Sequence, residues 1–292
     1  LIAASPALRV RTGHLIGQGG ARLFLQSWLP ESDPEGVIVL VHGLAEHSGR
    51  YDEMVGRLAA LRYAVYALDH RGHGRSEGPR ANIERFEYLT SDLDRLVALV
   101  ERTHPGLPLT MLGHSMGGAV AFAYALRHEP RLSGLVLSAP LLAVDPNVPA
   151  LRITVARLAS ALLPGVGALK LPSAAISRDA AVVRAYEQDP LVFCGSIPAR
   201  TLAELFDAVA SFPQQAPRLR LPVLILHGTA DQLVRLAHVE RIYASIGSRD
   251  KTVRRYEGLY HEVFNEPERS RVFQDLEEWL KAQAATSDRD RL

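Results

Sequence analysis

Short apolar runs alternate along this chain with stretches in which apolar residues recur every three or four positions. Val37 to Val41, Ala64 to Leu68, Leu109 to Leu112, Leu135 to Ser138 and Val223 to Leu226 are four- and five-residue runs rich in Val, Ile and Leu. Thr252 to Tyr256 is a sixth, more polar one. Between them the spacing is helical: Met54, Val55, Leu58 and Leu61; Leu89, Leu93, Leu96, Val97 and Val100; Ala119, Phe122, Ala123 and Leu126; then Arg271 to Ala284. Continuous apolar runs suit strands covered on both faces. Strands that alternate with helices predict an α/β fold with a mostly parallel sheet. Arg22 to Leu29, after a Gly-rich turn, is expected to form an edge strand.

The alternation stops between about Ala143 and Pro217, where no strand pattern is visible. Leu151 to Leu163, Asp179 to Gln188 and Thr201 to Ser211 read as helices. The expected organisation is therefore a core of residues 1–142 and 218–292, with a helical cap of residues 143–217 inserted after the strand at Leu135–Ser138. From Leu141 to Ile176 there are only four charged residues, about half the density of the whole chain. The polar residues of Leu151 to Leu163 do not share one helix face, so that helix must be covered by protein or meet something apolar.

Composition narrows the function classes. The 292 residues are 47% hydrophobic and carry a net charge of +1, which gives no electrostatic reason to bind nucleic acid. Cys194 is the only cysteine, so no intramolecular disulfide or cysteine metal cluster can form. No apolar run approaches the roughly 18 residues of a membrane helix. Leu1 to Leu8 is too short and uncharged for a signal peptide. These features point to the cytoplasm; the start at Leu1 rather than Met leaves room for a removed leader. Thr286 to Leu292 reads as a polar tail beyond the last helix.

The chemistry concentrates at Gly113-His114-Ser115-Met116-Gly117, which fits Gly-x-Ser-x-Gly between an apolar strand and a helix. A serine on so sharp a turn needs small neighbours, and the helix start aims free N–H groups at it. A serine hydroxyl needs an adjacent base. In α/β-hydrolases the chain order is Ser, acid, His. Asp231 follows the strand Val223 to Leu226, and beyond it only His238 and His261 remain. His238 falls within a helical stretch and is expected at the surface. His261 follows the last strand, at the sheet end where such folds place their sites. Ser115, Asp231 and His261 thus form the expected catalytic set. The backbone N–H groups of Met116 and Leu44 are the expected oxyanion donors, with His42 bracing the Leu44 loop.

The stretches His42-Gly43-Leu44-Ala45-Glu46-His47-Ser48-Gly49-Arg50-Tyr51, Asp69-His70-Arg71-Gly72-His73-Gly74-Arg75-Ser76, Gly113 to Gly118 and His227 to Asp231 together resemble the monoacylglycerol lipase family, an α/β-hydrolase family. Ala175 to Asp179, Tyr186 to Leu191 and Tyr260 to Arg269 resemble its bacterial members, including those of mycobacteria. The likeness runs from about Ala21 to Leu280. It implies a serine ester hydrolase acting on monoacylglycerols, with no cofactor and a mobile cap; the sparse charge of residues 141–176 suits a cap that touches a lipid surface, and no metal-type Cys/His spacing occurs. It also implies that Glu46 and Arg50 lie near the end of the pocket that takes glycerol. By spacing alone they are an i, i+4 ion pair. Competing readings are a lysophospholipase or general carboxylesterase, a serine aminopeptidase of the same fold, and a non-catalytic binding protein. An aminopeptidase would call for a carboxylate cluster in the pocket.

Overall fold

The computed structural model describes residues 8–144 and 160–289. Within them, eight strands form one sheet in the order β1-β2-β4-β3-β5-β6-β9-β10. These are β1 (Arg9–Ile16), β2 (Arg22–Leu29), β3 (Gly36–Val41), β4 (Tyr63–Leu68), β5 (Leu109–His114), β6 (Gly134–Ser138), β9 (Val223–Gly228) and β10 (Lys251–Tyr256). The pairs β1–β2 and β2–β4 are antiparallel, and every other pair is parallel. The central runs are apolar throughout because both faces are covered. Val37, Val39 and Val41 of β3 join the core under α2 (Phe86–Thr103) and α3 (Met116–His128). Ile38 and Leu40 join the opposite layer, under α1 (Asp52–Ala60) and α7 (Arg269–Arg289).

Three expectations need correction. Arg22–Leu29 is not the edge, because β1 pairs along its full length from Arg9↔Leu29 to Ile16↔Arg22. The apolar residues of β1 bury neither face: Val10 and Ile16 are more than half exposed, so its sequence lacks the buried stripe that betrays a strand. Its arginines also suit an edge that must not recruit another chain. Second, the region between β6 and β9 does hold strands. β7 (Gly167–Lys170) and β8 (Ser196–Pro198) pair antiparallel; both are too short to leave a pattern, and β7 is exposed throughout. Third, α7 continues through the expected tail as far as Arg289.

Between β6 and β9 the chain also forms α4 (Ala180–Gln188) and α5 (Ala199–Ala210). Asp179 caps α4, its side chain accepting from the Ala181 N–H at 2.8 Å. Core contacts fix this region: Phe193 N–H donates to Ala45 O, Glu262 N–H to Ile176 O, and Thr201 Oγ1 links Ile83 and Ala81. The helix expected at Leu151–Leu163 lies mostly outside the described residues; residues 160–162 are helical. Leu162 at its end and Leu163 just beyond are 70% and 64% exposed. Among the described residues no helix is long and apolar enough to cross a membrane.

Candidate active site

The ends of the parallel strands bring the predicted residues together. Ser115 sits between β5 and α3 with φ 53° and ψ −118°, a conformation that costs a non-glycine residue about 1–3 kcal/mol. The turn is held by Ser115 N–H donating to Ser138 O and by Leu141 N–H donating to Ser115 O, both at 3.0 Å. Gly117 is required by close approach: a Cβ there would stand 2.1 Å from Val41 O and 2.4 Å from His42 O. This packs the start of α3 directly beneath the loop after β3. Met116 is the first residue of α3, so its N–H has no carbonyl one turn back to bond.

His261 follows β10, and its Nδ1 donates to Asp231 Oδ2 at 2.7 Å. Asp231 follows β9, and its other oxygen accepts the N–H groups of Leu233 at 2.8 Å and Val234 at 2.9 Å. The carboxylate is thereby aimed at the imidazole, leaving Nε2 of His261 as the nitrogen available to a substrate or nucleophile. Burial works against charge on both groups. Nonetheless the carboxylate of Asp231 beside it raises the pKa of His261 above its ordinary value. The imidazole in turn holds Asp231 below the usual carboxylate range. His114 lies against His261 with ring centroids 4.8 Å apart; burial, aided by that neighbour, pulls it down to about 4.

Leu44 lies in the turn after β3. A Cβ on Gly43 would stand 2.8 Å from Glu46 Oε1 and 3.4 Å from Ser115 Cβ, so this turn runs directly past the serine. His42 braces it: its Nε2 accepts the His70 N–H at 2.8 Å, so its Nδ1 donates to Gly43 O at 2.7 Å. Buried beside His70 and His73, His42 is held neutral, its pKa well below the ordinary histidine value.

Ser115, His261, Met116, Leu44 and Glu46 all line one cavity of about 380 Å³. Apolar side chains line it too, among them Leu141, Leu169, Ile176, Leu202, Leu205 and Phe206. Arg50 is not among the residues that line the cavity, but it bonds two that are. Its guanidinium bonds Glu46 Oε2 at 2.8 Å and both oxygens of Glu262, and lies over the Tyr186 ring. The i, i+4 ion pair with Glu46 is present but buried.

His238 departs from the expected surface position. It is 7% exposed and lines the cavity from α6 (Leu236–Ser245), whose buried face also carries Val239 and Ile242. The i, i+4 spacing of His238 and Ile242 was the available signal. Glu262, Tyr186 and His114 also line the cavity and were missed; adjacency to Ser115 and His261 was the available signal for His114 and Glu262, whereas only the topology brings Tyr186 there. Among the described residues no group of three or more His, Cys, Asp or Glu is arranged to hold a metal.

A family model described as serine aminopeptidase, S33, matches residues 32–268. The chain is 42% identical over 264 residues to a monoacylglycerol lipase of Mycolicibacterium smegmatis, covering 90% of this chain and 94% of that one. The chain belongs to the monoacylglycerol lipase family of α/β-hydrolases. Family membership extends to animals: a monoglyceride lipase of Rattus norvegicus is 35% identical over 277 residues, with 94% of this chain and 91% of that one covered. The crystal structure of Paleococcus ferrophilus monoacylglycerol lipase superposes with a TM-score of 0.81 at 32% identity, covering 89% of this chain and 99% of that one.

Proposed function

We propose that the protein hydrolyses monoacylglycerols to fatty acid and glycerol through an acyl-enzyme. The observation that carries this reading is a single cavity lined by Ser115, His261, Glu46 and Glu262 together with many apolar side chains. The Ser115 hydroxyl attacks the ester carbonyl as His261 Nε2 takes its proton. Asp231 fixes the tautomer and stabilises the imidazolium. The N–H groups of Leu44 and Met116 hold the oxyanion. Collapse expels glycerol, protonated by His261. Water, activated by the same histidine, then releases the fatty acid. The acyl chain lies against Leu202, Leu205 and Phe206, and the glycerol lies near Glu46 and Glu262.

An aminopeptidase reading would need an unpaired carboxylate to meet the substrate's ammonium group. Glu46 and Glu262 do line the cavity, but both bond the same Arg50. The inserted region, taken as residues 143–217, forms the cap, and exposed Leu162, Leu163, Val166 and Leu169 give it an apolar face for a lipid surface. The test is a panel of monoacylglycerol, diacylglycerol, triacylglycerol, lysophospholipid and an aminoacyl amide. The monoacylglycerol is expected to give the highest kcat/KM. Preference for the lysophospholipid or the amide would replace this reading.

A further inference from the structure

The oxyanion turn and the His261 loop leave the sheet at strands that are not neighbours. β3 and β10 are separated by β5, β6 and β9. The Leu44 turn and the loop after β10 therefore follow strands that share no direct pairing. One side chain spans the gap. Arg50 Nη1 donates to Glu46 Oε2 at 2.8 Å and to Glu262 Oε1 at 2.7 Å, and Nη2 donates to Glu262 Oε2 at 2.8 Å.

Each carboxylate passes this constraint to catalytic backbone. Glu46 Oε1 accepts the Gly43 N–H at 2.6 Å, one residue before Leu44, and the Tyr51 hydroxyl at 2.7 Å. Glu262 directly follows His261; its Oε2 also accepts from Asn265 Nδ2 at 2.8 Å, and its N–H donates to Ile176 O at 2.7 Å. All four carboxylate oxygens therefore hold protein donors. The side chains of Arg50, Glu46 and Glu262 are 11%, 4% and 7% exposed. Low exposure and a bidentate fork make this a rigid joint rather than a solvated ion pair.

We propose that Arg50 is a positioning residue that sets, through Glu46 and Glu262, the placement of the oxyanion turn relative to the His261 loop. The inference rests on the ester-hydrolase reading above, and it differs from a glycerol-binding role in what it predicts. A residue that grips glycerol matters only when the leaving group is glycerol. A residue that aligns donors with base matters for every ester, and it acts on kcat, because misplacement of about 1 Å costs on the order of 100-fold.

The experiment measures kcat and KM of the full chain, wild type and Arg50→Lys, on a monoacylglycerol and on a nitrophenyl ester of the same acid. Lysine keeps the charge but cannot hold both carboxylates through a planar fork. The expected result is a loss in kcat of about 10- to 100-fold on both esters, by equal factors, with KM nearly unchanged. Glu262→Gln is the companion variant and carries the same test if Arg50→Lys does not fold. It should lose kcat on both esters and also move the pH midpoint of kcat/KM downward. The change removes one of three carboxylates facing His261, leaving Asp231 and Glu46, with His114 and Arg50 unchanged. A loss confined to the monoacylglycerol, or undiminished kcat in the variant that folds, overturns the proposal. A wild-type chain inactive on both esters overturns instead the hydrolase reading beneath it.

Discussion

His261 Nδ1 lies 2.7 Å from Asp231 Oδ2, in a pair whose two residues come from loops after adjacent parallel strands. Burial opposes the imidazolium, and the carboxylate more than offsets it, so His261 protonates more readily than a histidine in water. Only neutral His261 can take the serine proton. Hydrolysis should therefore rise with pH through a midpoint above the ordinary histidine value of about 6.5. A kcat/KM profile on a neutral ester checks this; a midpoint well below 6.5 would separate the base from Asp231.

The buried histidines predict the opposite sign for stability. His42, His70, His73, His114 and His227 are all held neutral below the ordinary histidine value, chiefly by burial. Below about pH 6.5 the unfolded chain binds protons that the folded chain refuses, so stability falls as pH falls. The loss begins near the unfolded value and continues at least to about 4, where His114 titrates in the fold. His261, with its raised value, contributes in the other direction but is one group against five. Thermal melts should show Tm dropping steeply from pH 7 to pH 4, and a flat profile would contradict this account of the histidines.

Two glycines should respond in opposite senses to alanine. Gly117→Ala puts a Cβ 2.1 Å from Val41 O, against backbone that cannot turn aside. It should destabilise by about 1–3 kcal/mol or more and lower Tm by several degrees. Gly56 lies within α1 with nothing within 4 Å of a Cβ, and Gly56→Ala should stabilise by up to about 1 kcal/mol. Paired melts of the two variants check the close approach under Ser115.

Leu162 and Leu163, at 70% and 64% exposed, give the test of the cap. Replacing both by Ser should leave hydrolysis of a soluble short ester within about twofold. It should cut activity on dispersed long-chain monoacylglycerol several-fold, since apolar area removed from water is worth about 25 cal/mol per Å². Equal effects on both substrates would mean that these leucines do not meet lipid.

The core of this fold was legible because burial on both faces leaves unmistakable apolar runs, as at Val37–Val41. Ser115, Asp231 and His261 were legible because strand ends and chain order leave few choices. What escaped the sequence was set by exposure or by distance in the chain. β1 escaped because neither of its faces is buried. The β7–β8 pair escaped because strands of three or four residues carry no readable period. The partnership of Arg50 with Glu262 spans 212 positions, and no local spacing announces it. His238 was a misjudged face of a correctly read helix, where Ile242 one turn on marked the buried side.

The central claim is that Ser115 is the nucleophile of a monoacylglycerol hydrolase. Its most direct test is kcat/KM for monoacylglycerol, measured on the wild type and on Ser115→Ala together with the melting temperature of each. The account predicts glycerol and fatty acid released in equal amounts by the wild type. It predicts a loss of at least about 1,000-fold in Ser115→Ala, with a Tm close to that of the wild type, because triad members act as a unit. A folded Ser115→Ala variant that kept a tenth of the wild-type rate would contradict it.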